Sequence, residues 1–583
     1  MKKLQILLNK LDQQPFGRLH QLKGTWSFDG FILDIIHLQG SPGAHPASVI
    51  NVQKELNTCG YPDPVWEIPF LKTAFLDFLL RLLARGIKKF ARQNRGCEGS
   101  GSFHTIEFGQ RVLERNAILI KGSRIHARLI LSFPSSSPGG GRIDAGQAKI
   151  MLFDELPEIV KYAFSYQNYS THRKNLFHKH IKTASIQHQI RVYLEKHNLV
   201  AFVADQSNPA RKSSVDDRPM DSKDAVLFKS PESLLTTIPL ENGEFIKGMG
   251  IPEGVCMITG GGFHGKSTLL SALMNGVYNH IPGDGREFII TRDDAVLIRS
   301  EDGRRVAGVN ISPFIRNIPT GKDTSFFCTE NASGSTSQAA NLVESIETGS
   351  KTLLFDEDSC ATNFMIRDRI IEKVIPPDKE PIQPLFNIIR LLWKKNGISS
   401  IFVVGGLGIY LTKADTILMM NDYKTYDITA DVRQKLGDID DKNPIDISLP
   451  ESLRMISRDN FNPSFINERL QKKVEVRFTP VRENFRRIEY GQDRIDLDLV
   501  PQLAEIAQSR TIGAMIYYLK LRMEDKDNIS FAIRELTEEM YRDIKSEGLD
   551  ILPYRYKGLL ALPRKFEFLA AVNRMRTLKV VPR

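Results

Sequence analysis

No run in this sequence approaches the ~18 uninterrupted apolar residues of a membrane-spanning helix, so a transmembrane domain of that kind is excluded. Cysteine is sparse: Cys59, Cys97, Cys256, Cys328 and Cys360 are odd in number, widely scattered and form no CxxC pair. That pattern excludes a disulfide framework and a cysteine zinc site, and reads as reduced thiols in a reducing compartment such as the cytoplasm. The start, MKKLQILLNKLDQQPFGRLHQL, opens like a secretory signal. Asn9, Lys10 and Asp12 cut its apolar stretch short, so an amphipathic first helix is the expectation. No internal repeat occurs.

What is present is an ordinary globular composition over 583 residues, 41% hydrophobic and 25% charged. It can build sizeable cores and, at roughly 150 residues per domain, predicts two to four domains. Seventy-nine basic residues against 69 acidic ones leave a net charge of +10, which admits a polyanion as partner without requiring one. Three zones differ in texture. Residues 1–245 mix helical patterns with short strands and loops rich in Gly, Ser and Pro; a polar stretch from Asp205 to Asp224 reads as a long surface loop. Residues 246–435 alternate helical segments with the apolar runs Val255 to Thr259, Glu287 to Thr291, Thr352 to Phe355 and Ser400 to Val404, the pattern of an α/β layered domain. Residues 436–583 open with a linker, Asp438 to Pro450, and then read as mostly helical with one or two strands near Val474 to Phe478.

The sharpest local signal is Gly260-Gly261-Gly262-Phe263-His264-Gly265-Lys266-Ser267, which satisfies GxxxxGK[ST] at every fixed position. It stands between an apolar strand and a helical run that begins at Thr268. Glycines in such a loop let backbone N–H groups turn inward as a nest for phosphate oxygens, and the following helix adds the positive end of its dipole. Lys266 then reaches the β- and γ-phosphates of ATP, and the Ser267 hydroxyl ligates Mg²⁺. His264, at a variable position of the pattern, reads as a solvated residue and not as a catalyst. A cradle alone does not hydrolyse, and Lys351-Thr352-Leu353-Leu354-Phe355-Asp356-Glu357 supplies the acids: Asp356 to hold Mg²⁺ through its water shell, Glu357 to polarise the attacking water. Acids after an apolar strand also occur as plain solvated strand ends; the phosphate loop upstream favours the catalytic reading.

Between these strings lies Ala332-Ser333-Gly334-Ser335-Thr336-Ser337-Gln338, which resembles the signature motif of ABC-class ATPases, with Ser333 preceding Asp356 by 23 residues as in that class. Longer strings are similar to the family of predicted ATPases of the ABC class: Gly248 to Pro252, Tyr278 to Glu287, Ala361 to Asp368 and, outside the core, Gln110 to Arg115, Val200 to Asp205 and Asn573 to Arg576. The resemblance covers nearly the whole chain. It implies an α/β P-loop NTPase core of ABC type, flanked by an N-terminal α+β domain and a C-terminal, mostly helical basic domain. It also implies a head-to-tail homodimer that sandwiches ATP and Mg²⁺, in which Ser333, Gly334 and Ser335 face the γ-phosphate on the opposite copy.

The sequence departs from ordinary ABC ATPases in several places. No Gln occurs between Ser267 and Gln338, so the usual glutamine loop is missing and Asn310 is the nearest substitute. Only 67 residues separate Lys266 from Ser333, so the helical subdomain must be small, which disfavours a transporter subunit. Gly405-Gly406-Leu407-Gly408 stands where the switch histidine is expected, and the loss of that donor implies slow turnover. For adenine stacking only Phe228 and Phe245 offer themselves. Asp284 and Arg286 either reach phosphate or a second ligand, or simply build a tight turn.

From Pro553 onward eight cations face Glu567 alone, so this tail carries +7 of the chain's +10. Arg555, Arg564, Lys565, Arg574, Arg576 and Lys579, interleaved with Tyr554, Tyr556, Phe566 and Phe568, suit nucleic acid: cations meet phosphates and release counterions, and rings stack on bases. A second run, Arg81, Arg85, Lys88, Lys89, Arg92 and Arg95, recurs at helical spacing. Both also fit helices with a solvated basic face. Two functions therefore stand: a soluble ATPase coupled to RNA or DNA, or an ATP-gated clamp or scaffold for another protein.

Overall fold

A computed structural model describes the chain except residues 43–46, 93–94, 96, 98–99, 138–140, 214–215, 368–373, 375–378, 440–448, 450–453, 468–472, 482–483, 527, 555–556 and 582–583. The chain folds into two compact units. Met1–Phe108, Val112–Ser185 and Glu547–Leu562 make the first; Gly109–Arg111, Ile186–Ser546 and Pro563–Arg583 make the second.

In the first unit, strand Phe31–His37 buries Phe31, Leu33 and Ile35 and leaves the alternate residues half-exposed, the period-two pattern of a sheet with one covered face. The antiparallel sheet runs Gly24–Phe28, Phe31–His37, Ser48–Glu55, Arg124–Ser132, Ser102–His104 in space, with Ile118–Lys121 also pairing Arg124–Ser132. Helix Lys2–Leu11 buries Leu4, Leu8 and Leu11, as an amphipathic first helix should. Helix Pro69–Phe90, opened by proline at its first turn, packs on Leu156–Phe164. It carries most of the second basic run, which the fold divides. Arg81 bonds the buried Asp77 carboxylate at 2.7 Å and Arg95 pairs with buried Glu155, while Arg85, Lys88, Lys89 and Arg92 stay exposed.

The second unit is built on a six-stranded sheet ordered Ala295–Ile298, Thr352–Asp356, Ser399–Val403, Val255–Thr259, Thr416–Asn421, Lys424–Asp427; all pairs are parallel except the last. Val255 and Met257 enter one apolar core with Phe355 and Phe402. Cys256 and Ile258 enter the other with Leu269, Leu270 and Leu273. Cover on both faces explains why these strands read as unbroken apolar runs, and the expected α/β P-loop core is what the sheet builds. A second, antiparallel sheet orders Ile289–Thr291, Leu199–Ala204, Phe245–Pro252, Leu235–Pro239.

Between Arg299 and Ala332 there is no helix; the strand pair Val306–Val309 and Phe327–Thr329 stands where a small helical subdomain was expected. Beyond residue 454, helices Ile506–Glu524, Ile533–Glu547 and Lys565–Asn573 alternate with strands of two to four residues. Strands that short leave little period-two signal, so only those near Val474 to Phe478 were legible.

Candidate nucleotide site

The phosphate loop leaves the C-terminal edge of the parallel sheet. Strand Val255–Thr259 ends there and helix Lys266–Asn275 begins after Gly265, whose φ of +95° caps it in the left-handed region. Gly260 has φ +135°, and a Cβ at that position would overlap the Met420 carbonyl oxygen, so the first glycine is required by close packing. Lys266 Nζ donates to the carbonyl oxygens of Gly260 and Gly261, both at 2.7 Å, closing the loop on itself. His264 is more than a solvated side chain: its Nδ1 accepts the Asp422 N–H at 2.8 Å and lies 3.4 Å from the Asp422 carboxylate, tying the loop to the neighbouring hairpin.

Register brings the acids to the same edge. Asp356 pairs with Val403, and Val403 pairs with Ile258, so the ends of three adjacent strands surround one cavity of about 750 Å³. Gly260, Gly261, Gly262, Phe263, Gly265, Lys266, Ser267 and Thr268 line it from one side; Asp356 and Glu357 line it from the other. Burial raises the Asp356 pKa above the usual carboxylate value. Its Oδ1 is buried with no hydrogen-bond partner, an orphan acceptor on a residue that lines the cavity together with Ser267. This pair fits Mg²⁺, a hard cation that takes oxygen donors and keeps part of its water shell.

Glu357 is held by the loop that replaces the switch histidine. Its Oε2 accepts the backbone N–H groups of Gly405 at 2.6 Å, Gly406 at 3.0 Å and Leu407 at 3.4 Å. The sequence revealed that a histidine was missing there; it did not reveal that three backbone donors turn toward the acid instead. Successive backbone N–H groups form an anion nest that needs no particular side chain, which is why composition hides it.

The signature residues stand apart from this cavity. Ser333 caps helix Gly334–Glu347 with an exposed side chain, its hydroxyl 3.0 Å from Thr336 Oγ1; Ser335 is buried. One turn on, the buried Gln338 accepts the Ala361 N–H at 2.7 Å, joining the signature helix to the segment after the acid strand. Asn310 does not line the cavity. Its carboxamide oxygen accepts both the N–H and the hydroxyl of Ser312, at 3.1 and 2.6 Å, and caps a local turn. Phe228 is buried (4% exposed), and Phe245, though exposed, is not on the cavity wall. Two aromatics are there, Phe263 of the loop itself and Tyr423, and the second was missed; its signal was the pair Asp422-Tyr423 in a two-residue turn that ordinarily calls for glycine.

Asp284 and Arg286 lie away from the cavity. Asp284 accepts from His280 at 2.8 Å and from Arg211 at 2.6 Å, and Arg286, its pKa brought down to about 9 by burial, donates to the Pro209 carbonyl at 2.6 Å. Arg211 belongs to the polar stretch expected as a surface loop. That stretch has no helix or strand among its described residues, yet this ion pair pins it inward. The basic tail is also partly internal. Arg564 pairs with Glu567 at 2.6 Å and donates to the Asp293 and Ala295 carbonyls; Arg574 pairs with Glu301 at 2.7 Å. Phe566 and Phe568 are buried and not open to bases. Arg576 and Lys579 are exposed, Lys565 is half-exposed, and Arg555 and Tyr556 lie outside the described residues. Local sequence could not reveal that Glu301 waits 273 residues upstream of Arg574.

Three family models match the chain. The P-loop domain of ABC ATPases covers residues 173–447, the N-terminal domain of ATPases of the ABC class covers 1–167, and the MRB1590 C-terminal domain covers 481–581. MJ1628, an uncharacterized protein of Methanocaldococcus jannaschii, is 33% identical over 263 residues, 43% of this chain; the match spans 57% of that relative's length. Among solved structures, CbiO1 of Clostridium perfringens, part of the cbiONQ ABC transporter complex, is 14% identical, covering 39% of this chain and 87% of its own with a TM-score of 0.23. A bacterial Atm1-family ABC exporter with ATP bound is likewise 14% identical, covering 51% of each chain with a TM-score of 0.24.

Proposed function

Because this chain belongs to the ABC class of ATPases, we propose that it binds ATP with Mg²⁺ at the loop from Gly260 to Thr268, hydrolyses it slowly, and does so as a head-to-tail homodimer. The observation that carries the reading is the convergence of Lys266, Ser267, Asp356 and Glu357 on one cavity. On binding, the triphosphate oxygens take the place of the Gly260 and Gly261 carbonyls as acceptors for Lys266. Ser267 and Asp356 would hold Mg²⁺, which would supply positive charge to the phosphate oxygens. Glu357 orients the attacking water and accepts its proton, giving ADP and phosphate. Slow turnover is supported by the absence of a switch histidine and by the three N–H donors that hold Glu357. The dimer is supported by Ser333, which is exposed and absent from its own chain's cavity wall.

The test is calorimetric and kinetic. The parent binds Mg-ATP and turns it over, Lys266→Ala loses binding, and Glu357→Gln binds without turnover. A parent that binds no ATP sinks the reading.

For the polymer partner, the favouring observations are the exposed Arg85, Lys88, Lys89 and Arg92 of the first unit and, taken separately, the exposed Arg576 and Lys579 of the second. We assign RNA or DNA to these cations. Titration of single- and double-stranded RNA and DNA at two salt concentrations checks it: affinity falls with salt, and falls further on Lys88→Glu. Affinity indifferent to both would leave the ATP-gated protein clamp as the surviving reading.

A further inference from the structure

We infer that Tyr423 is the platform on which the base of the bound nucleotide stacks, so that base selection is made by the hairpin beside the phosphate loop. The inference rests on the nucleotide reading of the site and adds a residue to it. A triphosphate seated in the loop fixes where its base can lie, because one ribose joins the two. The cavity wall is otherwise glycine, lysine, hydroxyl and carboxyl side chains and Val403; its aromatic members are Phe263 and Tyr423. Phe263 is 100% exposed at the tip of the loop and is braced by nothing. Tyr423 is 55% exposed, and its Cδ1 comes within 3.0 Å of where a Cβ on Gly265 would stand, so the ring is seated beside the last loop glycine.

Two further observations bear on the ring. Strands Thr416–Asn421 and Lys424–Asp427 are closed by Asp422 at φ +48° and Tyr423 at φ +63°, a two-residue turn with both positions left-handed. Such turns favour Asn-Gly or Asp-Gly, and an aromatic residue at the second position is strained. The turn is not free to move away, because the Asp422 N–H is bonded to His264 inside the phosphate loop. Among the described residues the Tyr423 ring and hydroxyl have no hydrogen-bond, ionic or aromatic partner. A ring held in an unfavourable conformation, half in solvent and without a partner at the mouth of a phosphate cavity, fits the π-face of a base. Purines, with the larger face, fit best.

The experiment measures affinity of the full chain for Mg-ATP and for Mg-tripolyphosphate, which has the phosphates without the base. Tyr423→Asn removes the ring and suits the left-handed backbone, so thermal stability is kept. The expected result is an ATP affinity about tenfold weaker for Tyr423→Asn, tripolyphosphate affinity unchanged, and Tyr423→Phe within about twofold of the parent for both. Unchanged ATP affinity in Tyr423→Asn, or equal loss for both ligands, overturns the stacking role. A parent that binds ATP no better than tripolyphosphate overturns it too. A parent that binds neither overturns the nucleotide reading itself, and this inference with it.

Discussion

Glu357 concentrates what is unusual about this ABC-class chain in one carboxylate. Its resting bonds go to the N–H groups of Gly405, Gly406 and Leu407, the segment that stands in for the switch histidine. Gly406 has no room for a side chain on that side: a Cβ would stand 3.1 Å from Glu357 Oε1, tighter than ordinary van der Waals contact. Gly406→Ala must therefore push the carboxylate by a few tenths of an ångström while leaving Lys266 and the loop glycines untouched. Displacement of the proposed base on that scale predicts a kcat about tenfold lower at unchanged ATP affinity. Steady-state kinetics beside equilibrium binding decides it; a matching loss of affinity would mean that the loop had moved as well. The residues written in short contiguous strings, Gly260 to Thr268 and Asp356 with Glu357, could be picked out from sequence alone, and residues of both strings line one cavity. Tyr423, the N–H nest and the His264 brace could not, because each depends on which loops the sheet register sets side by side.

At the scale of elements, the signature helix Gly334–Glu347 is held by charges that neither its period nor its composition announces. Arg304 Nη2 donates to both carboxylate oxygens of Glu344 in a buried pair, with Arg454 3.8 Å from Glu344. Breaking one side of such a pair leaves a buried charge without its main partner, so Arg304→Met is expected to cost about 3–5 kcal/mol. The double variant Arg304→Met/Glu344→Leu should recover much of that loss, and denaturant unfolding of the set checks both statements. A second clasp lies within the first unit, where Arg128 on strand Arg124–Ser132 makes two 2.6 Å bonds to Asp550 and Lys121 adds one at 2.9 Å. Burial alone would raise the Asp550 pKa, but the Arg128 and Lys121 partners outweigh it and hold the group well below the usual carboxylate value. A depressed carboxylate contributes stability above its unfolded value and loses it as pH falls through the folded one. The stability gap between parent and Asp550→Asn is therefore expected to be constant above about pH 5 and to shrink steadily below about pH 4. Thermal midpoints over pH 2 to 7 test it; a gap that grew on acidification would refute the assignment. Sequence reading found these elements where apolar runs were long, Val255–Thr259 and Thr352–Asp356 above all. It could not find the pairs, whose partners lie 40 and 422 residues apart.

For the molecule as a whole, net charge was a fair guide to the existence of a basic surface and a poor guide to its place. The tail from Pro553 holds most of the excess, yet Arg564 and Arg574 neutralise Glu567 and Glu301 within their own unit, while the helix that draws less attention in the sequence keeps four cations exposed. The residues singled out for the nucleotide are likewise divided in space. The phosphate loop and both acids share a cavity, but Ser333, exposed at the start of its helix, is not on that wall. A helix N-terminus with an exposed hydroxyl at its cap position suits a phosphate, and a second chain turned head to tail would supply one. Stalling hydrolysis should then trap the closed pair. Glu357→Gln is expected to run as a dimer in size-exclusion chromatography with Mg-ATP and as a monomer without nucleotide. Adding Ser333→Arg, which puts a bulky cation where the opposite γ-phosphate would sit, should abolish the ATP-dependent dimer while leaving ATP binding to the single chain intact. A Glu357→Gln protein that binds ATP yet stays monomeric at every concentration would leave Ser333 without a partner and the homodimer without support.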